Sequence, residues 1–326
     1  MTTTDKKPRA RAARVPAQVV EVQSEVAEVR SAALQAAVQR ALEVGMQAAE
    51  EEQPPQQTAT QLKLPLFNDA HVLPNAFLRS ALFPGGEAKK PRPFVEKMPV
   101  FAVGDLRVTF TGQQFDQGDL DVLSGILEIG SSVGLGNEFR FSVYELLRKL
   151  DKPTGGKQYQ WVHDTLIRLN GGTVEIRGKR GLFFGSFIEG GFGDSVAREY
   201  TVRVNPRLGV LFGLDMWSQV DREQRKALSR NTTAKALHCY YSSHADPGAH
   251  RYDTLAKVAG LRGKQKADVK RTVVKAHEAL IDPKCGFLES YEAGAETISV
   301  KKAAQTTSQR RHLARKSMRR SRRISK

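Results

Sequence analysis

Residues 228–281 run LSRNTTAKALHCYYSSHADPGAHRYDTLAKVAGLRGKQKADVKRTVVKAHEALI. Leu228-Ser229-Arg230 opens a helical run through Ala234 and Leu237 to Tyr240, and Asp246-Pro247-Gly248 interrupts it, since proline cannot continue a helix ladder. Tyr252 to Ala259 makes a short second helix, with Gly260 placed to stop it. Lys264 to Ile281 is a longer third. Its Val269, Val273, Ala276 and Leu280 recur at the spacing of one buried face, which leaves Lys264, Ala267, Arg271, Val274 and Lys275 on the other. Two β-rich runs, Phe287 to Tyr291 and Thr297 to Val300, flank Glu292-Ala293-Gly294-Ala295 as a hairpin. Helix, helix, basic helix and hairpin make up the winged form of helix-turn-helix.

Upstream the same succession occurs without sequence repetition. Pro99 to Phe110 alternates as two strands about Gly104-Asp105, and Asp119 to Ile129 carries Leu120, Leu123, Ile126 and Leu127 at helical spacing. Gly134 to Asn137 ends that helix. Phe139 to Phe141 is a short strand, Ser142 N-caps a helix over Val143 to Leu150, and Asp151 to Gly156 turns. Lys157 to Asn170 turns Val162, Leu166 and Leu169 inward and Lys157, Gln160, Trp161, Asp164 and Arg168 outward. Thr173 to Arg177 and Leu182 to Ile188 then form a hairpin whose tip is Gly178-Lys179-Arg180-Gly181, and Tyr200 to Val204 adds a strand. The expected fold is α+β: tandem winged-helix domains over 72–213 and 214–300, between an N-terminal extension (1–60) and a basic, disordered tail (301–326).

The totals agree with a nucleic-acid partner. A chain of 326 residues, 40% hydrophobic, can bury two cores, and a net charge of +16 with a pI near 9.9 favours a polyanion, because each cation set on a phosphate releases counterions. A membrane surface is the rival polyanion, but no apolar run is long enough to span a bilayer and no signal-peptide core stands at the N-terminus, so a cytoplasmic location is expected. Cys239 and Cys285 are the two cysteines, with no CxxC spacing. Within the extension, Val19, Val22, Val26, Val29 and Ala33 form a heptad-like stripe on a helix spanning 17–52, read either as a solvated helix or as a self-association helix that makes homodimers. Gln53-Pro54-Pro55-Gln56-Gln57 is a linker. The tail holds eleven Lys and Arg residues with no acid among them, and supplies sequence-blind phosphate affinity.

After the linker stands Gln61-Leu62-Lys63-Leu64-Pro65-Leu66-Phe67. It is similar to the sliding-clamp-binding peptide of bacterial replication proteins, in which Gln61 would orient the peptide while Leu62, Leu64, Leu66 and Phe67 fill an apolar pocket. A strand start packed on the chain's own core is the alternative. With this peptide, Arg79-Ser80-Ala81-Leu82-Phe83, Thr109-Phe110-Thr111-Gly112, Val143-Tyr144-Glu145-Leu146, Tyr240-Tyr241-Ser242-Ser243-His244 and Glu278-Ala279-Leu280 follow in order. Over roughly Gln61 to Tyr291 the chain thereby resembles the TrfA-type plasmid replication initiators. The resemblance implies two winged-helix domains, binding of a monomer to repeated origin sites (iterons), melting of an A·T-rich segment, and recruitment of host helicase, its loader and the sliding clamp. The chain departs from the family pattern in its Pro65 insertion and its arginine-rich tail.

For DNA reading, Lys264, Arg271 and Lys275 suit a groove or a phosphate, Lys270 flanks them, and Ala267 and Val274 suit thymine methyls. In the first domain Lys157, Gln160 and Arg168 take the adjacent half-site, and Lys179 and Arg180 at the hairpin tip suit a phosphate or the minor groove. Chemistry is poorly supported. No GxxxxGK[ST] loop is present, so strand opening has no ATP cycle behind it, and no cofactor is expected. A rolling-circle nicking enzyme would find its tyrosine in Tyr240-Tyr241, yet His238, His244 and His250 lack the metal spacing. A zinc site from His238, Cys239, His244 and Cys285 fits no usual pattern. A winged-helix repressor without initiation activity is the main alternative, and only the clamp peptide separates the two.

Overall fold

The computed structural model describes residues 70–86, 92–178, 181–194, 196–213, 216–261, 263, 265–306, 309–311 and 313–314. The 17–52 helix, the peptide 61–67, Lys179, Arg180, Lys264 and the tail beyond 314 lie outside the described residues.

In chain order the elements are β1 (Ala70–Pro74), α1 (Asn75–Leu78), β2 (Phe94–Val100), β3 (Arg107–Gln113), α2 (Gln117–Ile129), β4 (Glu138–Ser142), α3 (Val143–Lys149) and α4 (Gly156–Gly171). Next come β5 (Thr173–Gly178), β6 (Gly181–Gly185), β7 (Ile188–Asp194), β8 (Glu199–Val204) and, past a 3-10 turn at Pro206–Phe212, β9 (Trp217–Asp221). The rest is α5 (Arg222–Ala227), α6 (Thr232–Ser242), β10 (Gly248–Arg251), α7 (Tyr252–Val258), α8 (Lys266–Ile281), β11 (Leu288–Ala293) and β12 (Thr297–Lys302).

Side chains at the helix starts explain several boundaries. The Asp116 carboxylate accepts from Gly118 N at 2.7 Å and Asp119 N at 3.0 Å, while Asp119 accepts from Asp116 N at 2.9 Å, a reciprocal cap that starts α2. Ser142 caps α3 by accepting from Glu145 N, as expected. The helix expected from Leu228 begins instead at Thr232, because Ser229 sits in the left-handed region (φ 47°) and Asn231 is the residue that caps, accepting from Ala234 N at 3.0 Å.

Two three-stranded antiparallel sheets share one topology. Their orders are β4-β8-β7 and β10-β12-β11, so in each the first strand in sequence pairs with the last and the middle strand lies outside. In each, that first strand directly precedes a short helix, α3 after β4 and α7 after β10. The hairpin expected over Thr173 to Ile188 is real between β5 and β6, with Val174 opposite Gly185 and Ile176 opposite Phe183. It belongs, however, to a separate four-stranded sheet, β2-β3-β5-β6. The expected second strand stops at Gly185 (φ 142°), and Phe187 drops into the core, its N–H donating to Leu169 O at 3.1 Å. Ile188 then opens β7 in the other sheet, and β7 and β8 form the hairpin that packs beside α4.

The first core gathers Phe77, Phe83, Phe110, Phe115, Phe183 and Phe187, with neighbouring ring centroids 4.7 to 6.3 Å apart. The second gathers Leu237, Tyr241, Leu255, Val273, Leu280 and Ile298. Several ties join the halves. β9 pairs with β1, Ala70 opposite Asp221 through Pro74 opposite Trp217. Buried Arg225 donates to Asp121 Oδ1 at 2.6 Å and Gln117 Oε1 at 2.9 Å, and Lys235 donates to Asp121 Oδ2 at 2.9 Å. Gly85 lets the backbones meet: its O accepts from Thr232 Oγ1 at 2.6 Å, and a Cβ there would lie 2.3 Å from Thr232 O.

The chain past Val300, expected to be mobile, stays attached at its start. Lys301 and Lys302 end β12, Lys302 Nζ donates to His244 O at 3.3 Å and Gln309 Oε1 at 3.0 Å, and Gln309 Nε2 donates to Ser242 O at 2.8 Å. The carbonyls of Ser242 and His244, at and just past the end of α6, thereby gain donors.

Candidate nucleic-acid interface

Helix α8 is amphipathic as its sequence demands. Val269, Val273, Ala276 and Leu280 are buried against α6, α7 and β11. The opposite side is a shallow groove lined by Ala267, Lys270, Arg271, Val274, Lys275 and Glu278, which brings together the expected residues of this helix that are described. Lys275 is exposed and makes no hydrogen bond or ion pair among the described residues. Arg271, also exposed, pairs with Asp268 at 2.7 Å one turn back, a solvent-screened contact that a phosphate or a base edge can replace. Lys270 is tied down: Nζ donates to Gly294 O at the β11–β12 tip at 3.0 Å and stands 5.5 Å from the Tyr252 ring centroid. This contact holds the hairpin at the edge of the basic face. Glu278 is the acid that limits the face at its C-terminal end.

Helix α4 presents a different surface. Val162, Leu166 and Leu169 are buried, and Lys157 and Gln160 are exposed, Gln160 donating to Asp164 at 2.8 Å. Ile167 is 60% exposed on the same side. Trp161 packs at the edge of the core, against Gly118. Arg168, expected outward, turns in. Its guanidinium donates to Asp119 Oδ1 at 2.8 Å and Thr165 Oγ1 at 2.8 Å, and Arg92 binds the other Asp119 oxygen and Asp116 at 2.6 Å. The reason lies in the cap of α2: Asp119 is fully buried, and a buried carboxylate needs cations. The Asp116-x-x-Asp119 cap was a sequence signal that such partners were required.

The residues weighed for chemistry have structural duties. Tyr240 and Tyr241 are buried, and the Tyr241 hydroxyl lies 2.9 Å from His277 Nε2, so neither ring is placed to attack a phosphodiester. His238 packs edge-on to Phe287 with Nε2 3.1 Å from Gln224 Oε1, while Cys285 Sγ reaches Gln224 O at 3.6 Å. Among the described residues no group of three or more His, Cys, Asp or Glu side chains is arranged to hold a metal. Burial lowers the pKa of His238 to about 3 and that of His277 to about 4, which keeps both neutral. No helix among the described residues is long and apolar enough to cross a membrane.

Plasmid replication initiator protein TrfA of Escherichia coli is 26% identical over 226 residues, 63% of this chain and 56% of the relative, so the chain matches little more than half of that protein's length. Domains 2 and 3 of RctB superpose with a TM-score of 0.48 at 12% identity, covering 72% of this chain and 99% of that one. Pi initiator protein, solved in complex with iteron DNA, superposes with a TM-score of 0.42 at 11% identity, covering 55% and 89%. The family profile described as TrfA protein matches residues 25–292. By that match across most of its length, the chain belongs to the TrfA protein family.

Proposed function

We propose that this protein initiates plasmid replication by binding iterons in an origin through two winged-helix domains, 72–213 and 214–300. The observation that carries the reading is the exposed face of α8, where Ala267, Arg271, Val274 and Lys275 line one groove with the β11–β12 tip pinned beside it by Lys270. α6, β10, α7, α8, β11 and β12 follow the order helix, strand, helix, helix, strand, strand, and α2, β4, α3, α4, β7 and β8 repeat it. In that arrangement the third helix lies in the major groove and the hairpin beside it meets the backbone.

Arg271 and Lys275 supply the polar contacts to base edges or phosphates, and Ala267 and Val274 lie against thymine methyls. Lys264, Lys179 and Arg180 add phosphate contacts. α4 takes the adjacent half-site through Lys157 and Gln160, an amide suited to adenine. Arg168 acts through α4: its pair with Asp119 holds the helix at its angle and leaves no free guanidinium for DNA. Origin opening draws on binding energy and duplex deformation rather than on ATP. Gln61, Leu62, Leu64, Leu66 and Phe67 bind the sliding clamp, and the helicase and its loader are recruited to the opened strand in the cytoplasm.

The test is a footprint on a supercoiled candidate origin, with strand opening followed by permanganate in the absence of nucleotide. Periodic protection and opening are expected, both lost with Arg271→Ala combined with Lys275→Ala. Nicked or protein-linked DNA in the presence of Mg²⁺, or protection without periodicity, rejects the reading. Loss of clamp capture with Leu66→Ala and Phe67→Ala tests the recruitment step separately and distinguishes an initiator from a repressor.

A further inference from the structure

A second basic feature lies away from α8, at the junction of the halves. Between the end of α3 and the α5–α6 corner is a recess of about 70 Å³. Six cations line it: Lys149 and Lys152 from the first half, Arg222, Arg225 and Lys226 on α5, and Lys235 on α6. Four carboxylates answer them. Asp121 spends both oxygens on Arg225 and Lys235, Glu128 pairs with Lys149 at 3.0 Å and Arg222 at 2.8 Å, Glu223 pairs with Lys226 at 2.9 Å, and Asp151 lines the recess. His71, also in the lining, is kept neutral by burial. Among the described residues the cluster therefore carries two positive charges more than negative, partly out of water, where excess like charge is costly until an anion enters.

Lys235 shows where that anion would sit. Its side chain is 6% exposed, and its ammonium, with three donors, makes one hydrogen bond among the described residues, to Asp121. Lys152, close enough to act on the Lys235 charge, makes no side-chain hydrogen bond or ion pair among the described residues. The backbone is shaped there as well: Asp151 (φ 52°) and Ser229 (φ 47°), both in the lining, are held in the left-handed region. A space of about 70 Å³ takes a few waters or one tetrahedral oxyanion.

We propose that this recess is a seat for a phosphoryl oxyanion, gripped by Lys152 from the first half and Lys235 from the second. A free phosphate group and a DNA backbone phosphate present the same chemistry. Occupancy by either neutralises the surplus charge and fastens the halves together. The inference does not depend on α8 reading DNA.

The experiment uses the full chain and has two arms. In the first, inorganic phosphate or pyrophosphate is titrated in the millimolar range at constant ionic strength while thermal unfolding is followed. Wild type is expected to gain about 4 °C at ten times Kd, and Lys152→Ala, a change at a side chain that makes no hydrogen bond or ion pair among the described residues, abolishes the gain. If the source is DNA, the midpoint does not move, and the second arm responds: on a random duplex, Lys152→Ala lowers the slope of log affinity against log salt by about one. A midpoint insensitive to phosphate together with an unchanged salt slope overturns the proposal, as does a phosphate shift that survives in Lys152→Ala.

Discussion

The two halves share a strand order and differ in what their long helices do with charge. α8 keeps Arg271 and Lys275 on its open face and buries only apolar groups and His277 beneath. α4 keeps Lys157 as the lysine of its open face and turns its arginine inward to a buried carboxylate. Equal topology therefore does not mean equal roles. In the proposed complex the second half supplies most of the phosphate and base contacts, and the first supplies position and an extra sheet, β2-β3-β5-β6, of which β5 and β6 are inserted between α4 and β7.

The sharpest way to break this comparison is at Asp119. Asp119→Ala leaves Arg92 and Arg168 facing each other at a buried site, and the first half should lose about 3–5 kcal/mol of stability in denaturant unfolding. A loss under 1 kcal/mol would mean that Arg168 is not held inward and is available to DNA.

Acid should act more strongly on the other half, where burial lowers the pKa of His238, His244 and His277, than on the first, where it lowers that of His71. His238 and His277 are fully buried and have folded pKa values of about 3 and about 4, below the ordinary 6.5, because of desolvation. The unfolded chain takes up protons first as pH falls. The stability these groups lend is complete above pH 6.5 and declines below it, by up to about 1.4 kcal/mol per pH unit for each histidine, down towards pH 4. Hydrogen exchange at pH 7 and pH 5 should show the second core opening first. Equal loss of protection in both cores would contradict that division.

On DNA the asymmetry predicts unequal variants. Arg271→Ala or Lys275→Ala should each cost about 1–3 kcal/mol of iteron affinity in a titration, whereas Lys157→Ala should cost under about 1 kcal/mol. The reverse ranking would assign the reading to α4. Smallest of all, Asn231→Ala removes the cap of α6 and should lower the unfolding free energy by about 1 kcal/mol, with DNA affinity unchanged.

What could be read from the sequence was local. The four-residue recurrence of Val269 and Val273, continued by Ala276 and Leu280, gave α8 its buried face, and Thr297 to Val300 announced β12 by composition. Three features escaped for physical reasons. β7, Ile188–Asp194, holds three glycines and pairs through its backbone with β8, so its side chains carry no alternating signal. β10 is four residues long, Gly-Ala-His-Arg, with no large apolar side chain, and exists because β12 offers it a ladder. Arg168 lies at the border of its helix, where periodicity alone does not say whether a long side chain bends in or out. A fully buried acid on another helix decided it, a contact 49 residues away in sequence.

The pairing of β1 with β9 has a practical reach. Ala70–Pro74 is completed by residues 217–221, beyond the point where the first half would be cut from its fold alone. A ribosome must therefore deliver some 150 residues before the opening strand finds its mate, and until then buried Leu73 and its neighbours lie on an unprotected edge. A fragment stopped at residue 213 would keep that edge bare and invite intermolecular pairing, while one extended through Asp221 would carry its own cover.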